Sequence, residues 1–255
     1  MFDGINSALI FSYFLVFCRL GSGIMLLPGL SESYMSPKSR LVAALALSGL
    51  VLPTVQNILP KLPSSGIELA LMAVSEIIIG LFIGSMAKIL MSTLHVTGMI
   101  VSQNIGLASA SMFDPSQSSQ GSEIGVFLVF IAILIVFQTD LHHVFIKGLV
   151  DSYRIFDPKD SLPLSGFAET MGKIASESFM VGIKLAAPQI VVGLIFYIGS
   201  GVMARLMPQM QVFFVLMPIQ VTLGFFIFMV TLSACMISFM NYFAEAISNY
   251  TQYTQ

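Results

Sequence analysis

Charge is scarce in this chain. Asp, Glu, Lys and Arg make up only 9% of 255 residues, too few to coat the surface of a soluble domain of this size. The charges nearly cancel, leaving a net −2, which argues against nucleic acid as a partner, since phosphate binding needs a basic face. Cysteine is almost missing as well. Cys18 and Cys235 sit in unrelated apolar segments, a pattern that speaks for small core hydrophobes and against a disulfide framework. No Lys or Arg precedes the first apolar run, and Arg19 interrupts it, unlike a cleavable signal peptide. Strand-like alternation, tandem repeats and low-complexity tracts are also lacking, apart from a Ser/Gln cluster at 116–122.

Apolar residues fill that space. They account for 56% of the chain, with a mean hydropathy of +0.91, so the class is an integral membrane protein. Charge-free runs at Leu41–Pro60, Ile89–Phe113, Ile124–Thr139, Leu185–Ala204 and Leu206–Ala244 approach or exceed the roughly 20 residues a crossing needs. The expected fold is all-α and polytopic, with helices near 5–30, 39–56, 66–104, 123–153, 166–204 and 209–250. Gly80, Gly84 and Gly98 mark places where the third could bend or break. A polar linker at 157–163 divides the chain into parts at 1–160 and 161–255. The second part reads as a helical hairpin whose connector, Met207-Pro208-Gln209-Met210-Gln211, is apolar and amide-rich and should pack against protein. Basic residues give a weak orientation signal: Lys38 and Arg40 favour a cytoplasmic turn, but none follows Arg205. Neighbouring subunits are therefore expected to fix the placement.

One stretch breaks the membrane pattern. Ile105 to Glu123 is rich in small and polar residues, and long apolar segments flank it. Irregular backbone cannot face lipid, so at membrane depth it must be enclosed by protein or line a wet cavity. Ile105, Gly106, Leu107 and Ala108 lead into it, and Met112 and Phe113 form a bulky apolar tip among residues too small to fill space. Asp114 and Pro115 fit a helix start, with Gln117 reaching back; Ser122-Glu123 fits another. Two readings follow: a flexible stopper for a conduit, hinged at Gly98 and Gly125, or a plain solvent-exposed connector.

The polar residues inside apolar helices need partners. Glu76, Gly80, Gly84 and Lys88 recur every four residues on one stripe, and the glycines form a GxxxG that allows close backbone approach. Glu76 and Lys88 could line a cation or proton path or form a buried structural pair joining subunits; the second is favoured, since a carrier carries more acids along its track. Lys184 lies four residues before Pro188, whose ring frees its carbonyl and favours a kink. Arg19 and Arg205 are expected near helix ends, snorkelling or pairing with a partner's acids.

Other motifs carry less. Asp140, His142 and His143 superficially suggest a metal, but adjacent histidines point about 100° apart on a helix, and a boundary cap is the preferred reading; no metal or cofactor is expected. Ser85-Met-Ala-Lys88 matches a serine-acylase pattern without its companion elements. Asn249-Tyr-Thr251 is a formal glycosylation acceptor of no weight here. The chain has 17 methionines, several near the loop and the hairpin, where adaptable thioethers suit a seal around varied peptides or ordinary core packing.

Taken together, the motifs resemble one family. Arg205-Leu-Met-Pro208-Gln209-Met-Gln-Val-Phe-Phe214 followed by Pro218, Arg19 ahead of Pro28, Pro37 with Arg40, and Glu76 with Gly80 and Gly84 match FliR, an export-gate subunit of the bacterial flagellum. Ala-Ser-Met-Phe-Asp-Pro115, Asp140-Leu-His-His143 and Leu185-Ala-Ala-Pro188 also fit, and Leu216 and Leu141 stand where many members carry Gly. The resemblance implies a non-enzymatic subunit of a type III secretion gate in the bacterial inner membrane, at the flagellar basal body. It implies FliP-like, FliQ-like and FlhB-like partners, passage of unfolded exported proteins, and contact with lipid. It also implies a FliP-like part at 1–160, a FliQ-like hairpin at 161–255, and a pore-closing loop at 105–123. An injectisome homologue is the close alternative. A secondary ion or solute transporter using Glu76, Lys88 and Lys184 is the alternative of a different class.

Overall fold

The computed structural model describes residues 7–31, 35–107, 122–158, 163–207 and 212–252. Within them the chain is all-α, with helices α1 (Ser7–Ile24), α2 (Pro37–Val55), α3 (Gly66–Ile105), α4 (Glu123–Gln138), α5 (Leu141–Ile155), α6 (Leu164–Leu206) and α7 (Val212–Gln252). The expected all-helical, polytopic class is borne out. α1, α2, α3, α6 and α7 are each long and apolar enough to cross a membrane, and α4 with α5 would make a sixth, bent span. At about 1.5 Å per residue, the 40 residues of α3, 43 of α6 and 41 of α7 reach roughly 60 Å. That is twice a bilayer's apolar core of about 30 Å, so part of each helix must find surroundings other than lipid tails.

The element boundaries follow local chemistry. Ser36 caps α2 by accepting a hydrogen bond from the Ser39 N–H at 3.2 Å, and Pro37 fills the first helical position, where a missing N–H costs nothing. α1 ends at Ile24, short of the expected 30, and the chain then turns, with Gly29 at φ 85°. α3 runs through Gly80, Gly84 and Gly98 without a break.

The expected single helix over 123–153 is instead two, α4 and α5, bent by 77°. The reason is Asp140, the one non-glycine residue with positive φ (57°) among those described. A left-handed residue cannot continue a right-handed helix. Asp140 takes the N-cap position of α5, as its expected boundary role requires, but its side chain makes no capping hydrogen bond.

The chain divides into two compact units. The first holds residues 1–90, 136–175 and 244–255; the second holds 91–135 and 176–243. In the first unit α1 packs along α2, and the Tyr13 hydroxyl donates to the Leu45 carbonyl at 2.8 Å. Phe82 and Phe167 stack with centroids 4.0 Å apart, and Phe156 meets both edge-on at 6.4 and 5.2 Å. Ile79 completes that cluster, with Met86 and Met171 against it. The aromatic clasp joins the end of α5 to the start of α6 and fixes both on α3.

The second unit is built from the last turns of α3, most of α4 and the bulk of α6 and α7. Gly182 lets α6 approach α3 so closely that the Thr97 hydroxyl donates to its carbonyl at 3.1 Å. α6 and α7 are tied to each other by Gln189 Nε2 on the Gly224 carbonyl at 3.3 Å and by a hydrogen bond between Ser178 and Tyr242.

Candidate functional site

Two constructions stand out, one in each unit. In the first, Arg19 of α1 is fully buried, as is Glu76 of α3. The guanidinium donates through Nε to Oε2 at 2.5 Å and through one terminal nitrogen to Oε1 at 2.9 Å, the two-pronged geometry that suits arginine to carboxylates. That same nitrogen donates to the Phe156 carbonyl at 3.1 Å, and the other to the Ser152 hydroxyl at 3.3 Å. The Tyr153 ring lies under the charge, 3.8 Å from its carbon, where an aromatic face attracts a cation. Two segments distant in sequence, α3 and the end of α5, thus converge on one side chain of α1.

The glycines make this possible. A β-carbon on Gly80 would collide with the Arg19 carbonyl and the Ser22 hydroxyl. One on Gly84 would sit 2.7 Å from the Gly23 carbonyl and 2.8 Å from Leu26. The stripe of Glu76, Gly80 and Gly84 therefore seats α1 on α3 inside the chain, with backbone nearly touching backbone.

In the second unit, two helix ends bracket the segment at 105–123. On the leading side, Ile105 is fully buried against α7, and a β-carbon on Gly224 would stand 2.8 Å from it. Gly106 breaks the helix at φ 90°, a conformation that costs other residues 1 kcal/mol or more, roughly. The Gln220 amide donates to the last-turn carbonyl of Asn104 at 3.0 Å and to the Tyr197 hydroxyl at 3.3 Å. It also lies against Gly106, 3.3 Å from where a β-carbon would be. Helix C-terminal carbonyls have no partner in their own helix, and here α7 supplies one. Asn104 in turn occupies the space a side chain on Gly193 of α6 would need.

On the trailing side, Ser122 caps α4 by accepting from the Gly125 N–H at 3.2 Å, and its hydroxyl donates across to the Gly98 carbonyl of α3 at 2.8 Å. Gly98 and Gly125 face each other backbone to backbone; a β-carbon on Gly98 would overlap the Gly125 backbone. Both glycines, expected as hinges, lie inside regular helices, and this geometry gives them close packing.

The remaining expected residues divide clearly. Ile105, Gly106 and Leu107 are placed at the start of the loop, whereas Ala108, Met112, Phe113, Asp114 and Pro115 lie outside the described residues, as do Pro208 and Gln209 of the hairpin connector. Arg19 neither snorkels nor waits for a partner's acid; Glu76 of its own chain takes it, because only a paired charge can be buried at low cost. Lys88, Lys184 and Arg205 are exposed. Lys88 is therefore no partner for Glu76, and a carrier reading loses the acid at the head of its track.

Sequence reasoning missed Ser152, Tyr153, Asn104, Tyr197 and Gln220. Nothing in their local spacing links them to positions 19 or 106.

Fold and site together define a polytopic helical membrane protein with a charge-locked helix packing and with hydrogen-bonded, closely packed ends of α3 and α4. The chain belongs to the family described as bacterial export proteins, family 1, whose pattern it matches over residues 10–246. It is 33% identical to the flagellar biosynthetic protein FliR of Caulobacter vibrioides, over 93% of this chain and 94% of that protein. Identity to the FliR protein of Bacillus subtilis is 24% over 92% of each chain. The Yop proteins translocation protein T of Yersinia pestis is 28% identical over 82% of this chain and 81% of its own length.

Proposed function

We propose that the chain is a subunit of the flagellar type III protein export gate in the bacterial inner membrane, at the flagellar basal body. Its role is to form part of the channel for unfolded flagellar proteins and to close it with the loop at 105–123. The observation that carries this reading is the double clamp on that loop. Gln220 and Gly224 hold its leading end, and Ser122 with the Gly98–Gly125 contact holds its trailing end. A stopper needs fixed roots and a movable tip, and a segment too polar for lipid needs protein around it. Family membership and similarity to flagellar proteins over nearly the whole chain support the setting.

The same reading gives the chain FliP-like, FliQ-like and FlhB-like partners. Residues 1–160 are kin to the first and the hairpin at 161–255 to the second. Broad apolar faces on α6 and α7, including Leu194, Ile198, Phe226 and Met229, offer surface for such neighbours. The function is structural and needs no catalytic group. The similarity to a Yersinia translocation protein favours an injectisome gate as the second reading; recovery of flagellar or injectisome partners in a mild-detergent pull-down separates the two.

The test of the stopper is deletion of 106–113. The complex should still assemble and should leak ions. An intact ion barrier in the assembled deletion variant overturns the assignment.

A further inference from the structure

We infer that Asp140, His142 and His143 form a binding site for a borderline divalent transition metal of the zinc type, at the bend between α4 and α5. The proposal does not depend on the export reading. A carboxylate oxygen and one nitrogen from each imidazole lie within 4.8 Å of one another. The left-handed turn at Asp140 brings them together, and the two imidazole rings stand 4.1 Å apart, tilted by 37°. Phe137, on the other arm of the bend, backs the His142 ring at 4.9 Å. Although the two positions start about 100° apart on the helix, their rings come together here.

Three details distinguish this arrangement from an ordinary surface ion pair. First, His143 Nδ1 lies 3.5 Å from Asp140 Oδ1, well beyond the roughly 2.7–2.9 Å of a charge-assisted hydrogen bond. It matches the edge of a tetrahedron whose metal–ligand bonds are about 2.1 Å, an edge of about 3.4 Å. Second, Asp140 holds the N-cap position yet its side chain makes no capping bond, so the carboxylate is not spent on the helix. Third, His142 Nδ1 is shielded from water and has no hydrogen-bond partner among the described residues. No hydrogen bond through that atom therefore competes for the ring, and a buried polar atom in that state is an exception that needs explaining.

The donor set selects the ion. Calcium and magnesium want several oxygens and would find one carboxylate, whereas two imidazoles and a carboxylate suit zinc and its neighbours. Three protein ligands leave a coordination position open to solvent, consistent with side chains of Asp140 and His143 that are 77% and 69% exposed. A bound ion would brace the 77° bend.

The experiment uses the full chain in mild detergent without an affinity tag, titrated with Co²⁺ and followed by its visible absorption, then displaced with Zn²⁺. One equivalent should bind with the intense bands of a tetrahedral site. His142→Ala and His143→Ala should each weaken binding by about tenfold or more, and His95→Ala should leave it unchanged. Helical circular dichroism of each variant guards against misfolding. No saturable uptake of Co²⁺ or Zn²⁺, or wild-type uptake by the His142→Ala/His143→Ala double variant, overturns the proposal.

Discussion

Arg19 and Glu76 stand 57 residues apart in sequence, yet they meet in two parallel hydrogen bonds at a point where neither side chain touches solvent. Such a pair fixes which face of α1 meets which face of α3, because any slip would strand a bare charge in an apolar interior. The Phe156 carbonyl and the Tyr153 ring extend that constraint to α5 and its exit.

The first prediction concerns removal of one partner. Glu76→Gln should destabilise the purified chain by about 3–5 kcal/mol, since the guanidinium is left buried without its counter-charge. Arg19→Met with Glu76→Leu should recover most of that loss, as paired apolar replacements often do. Thermal unfolding in detergent, read through helical circular dichroism, checks both. A single variant as stable as the parent would mean that water reaches the pair.

The second concerns the Gly98–Gly125 contact. Gly98→Ala places its methyl on the Gly125 backbone, and overpacking of this kind costs about 1–3 kcal/mol. Gly125→Ala meets His95 as its nearest neighbour, no closer than 3.3 Å, and should cost clearly less. The same unfolding assay separates them. Equal and negligible effects would show that the two helices part easily, as hinges would.

The third concerns the hydroxyl that joins α4 to α3. Ser122→Ala removes both the cap on Gly125 and the bond to the Gly98 carbonyl, a loss of about 1–2 kcal/mol. Amide hydrogen exchange should rise in the first turn of α4. Unchanged protection there would mean that the serine contributes nothing.

Much of this architecture was legible beforehand, for reasons that also explain what was not. Charge-free runs and an apolar period must produce membrane-grade helices, so α2, α3, α6 and α7 fell close to their expected places. The glycine stripe at 80 and 84 was readable because a four-residue repeat puts small side chains on one face whatever packs there. Its occupant was not: only the fold brings Arg19 to Glu76. The bend at Asp140 was hidden because Thr139-Asp140-Leu141 carries neither glycine nor proline, the residues that usually announce a left-handed turn. Gln220 was invisible for a third reason. A glutamine in the middle of an apolar helix shows that it needs partners, not that they are the Asn104 carbonyl and the Tyr197 hydroxyl.

Gln220 therefore carries the last prediction, which joins the clamp to the proposed stopper. Gln220→Leu keeps the volume of the side chain but removes the donor to the Asn104 carbonyl and the amide lying against Gly106. The local cost is about 1–3 kcal/mol, spread over the end of α3 rather than the whole fold, so assembly should survive. If the clamp sets the position of the loop, the assembled complex should leak ions across the membrane, less than the 106–113 deletion and more than wild type. Gly106→Ala, strained at φ 90°, should leak in the same direction through the opposite side of the same contact. Conductance of membranes containing the assembled variants is the measurement. A tight seal in both, with normal assembly, would detach the clamp from closure and leave it a packing feature of α3, α6 and α7.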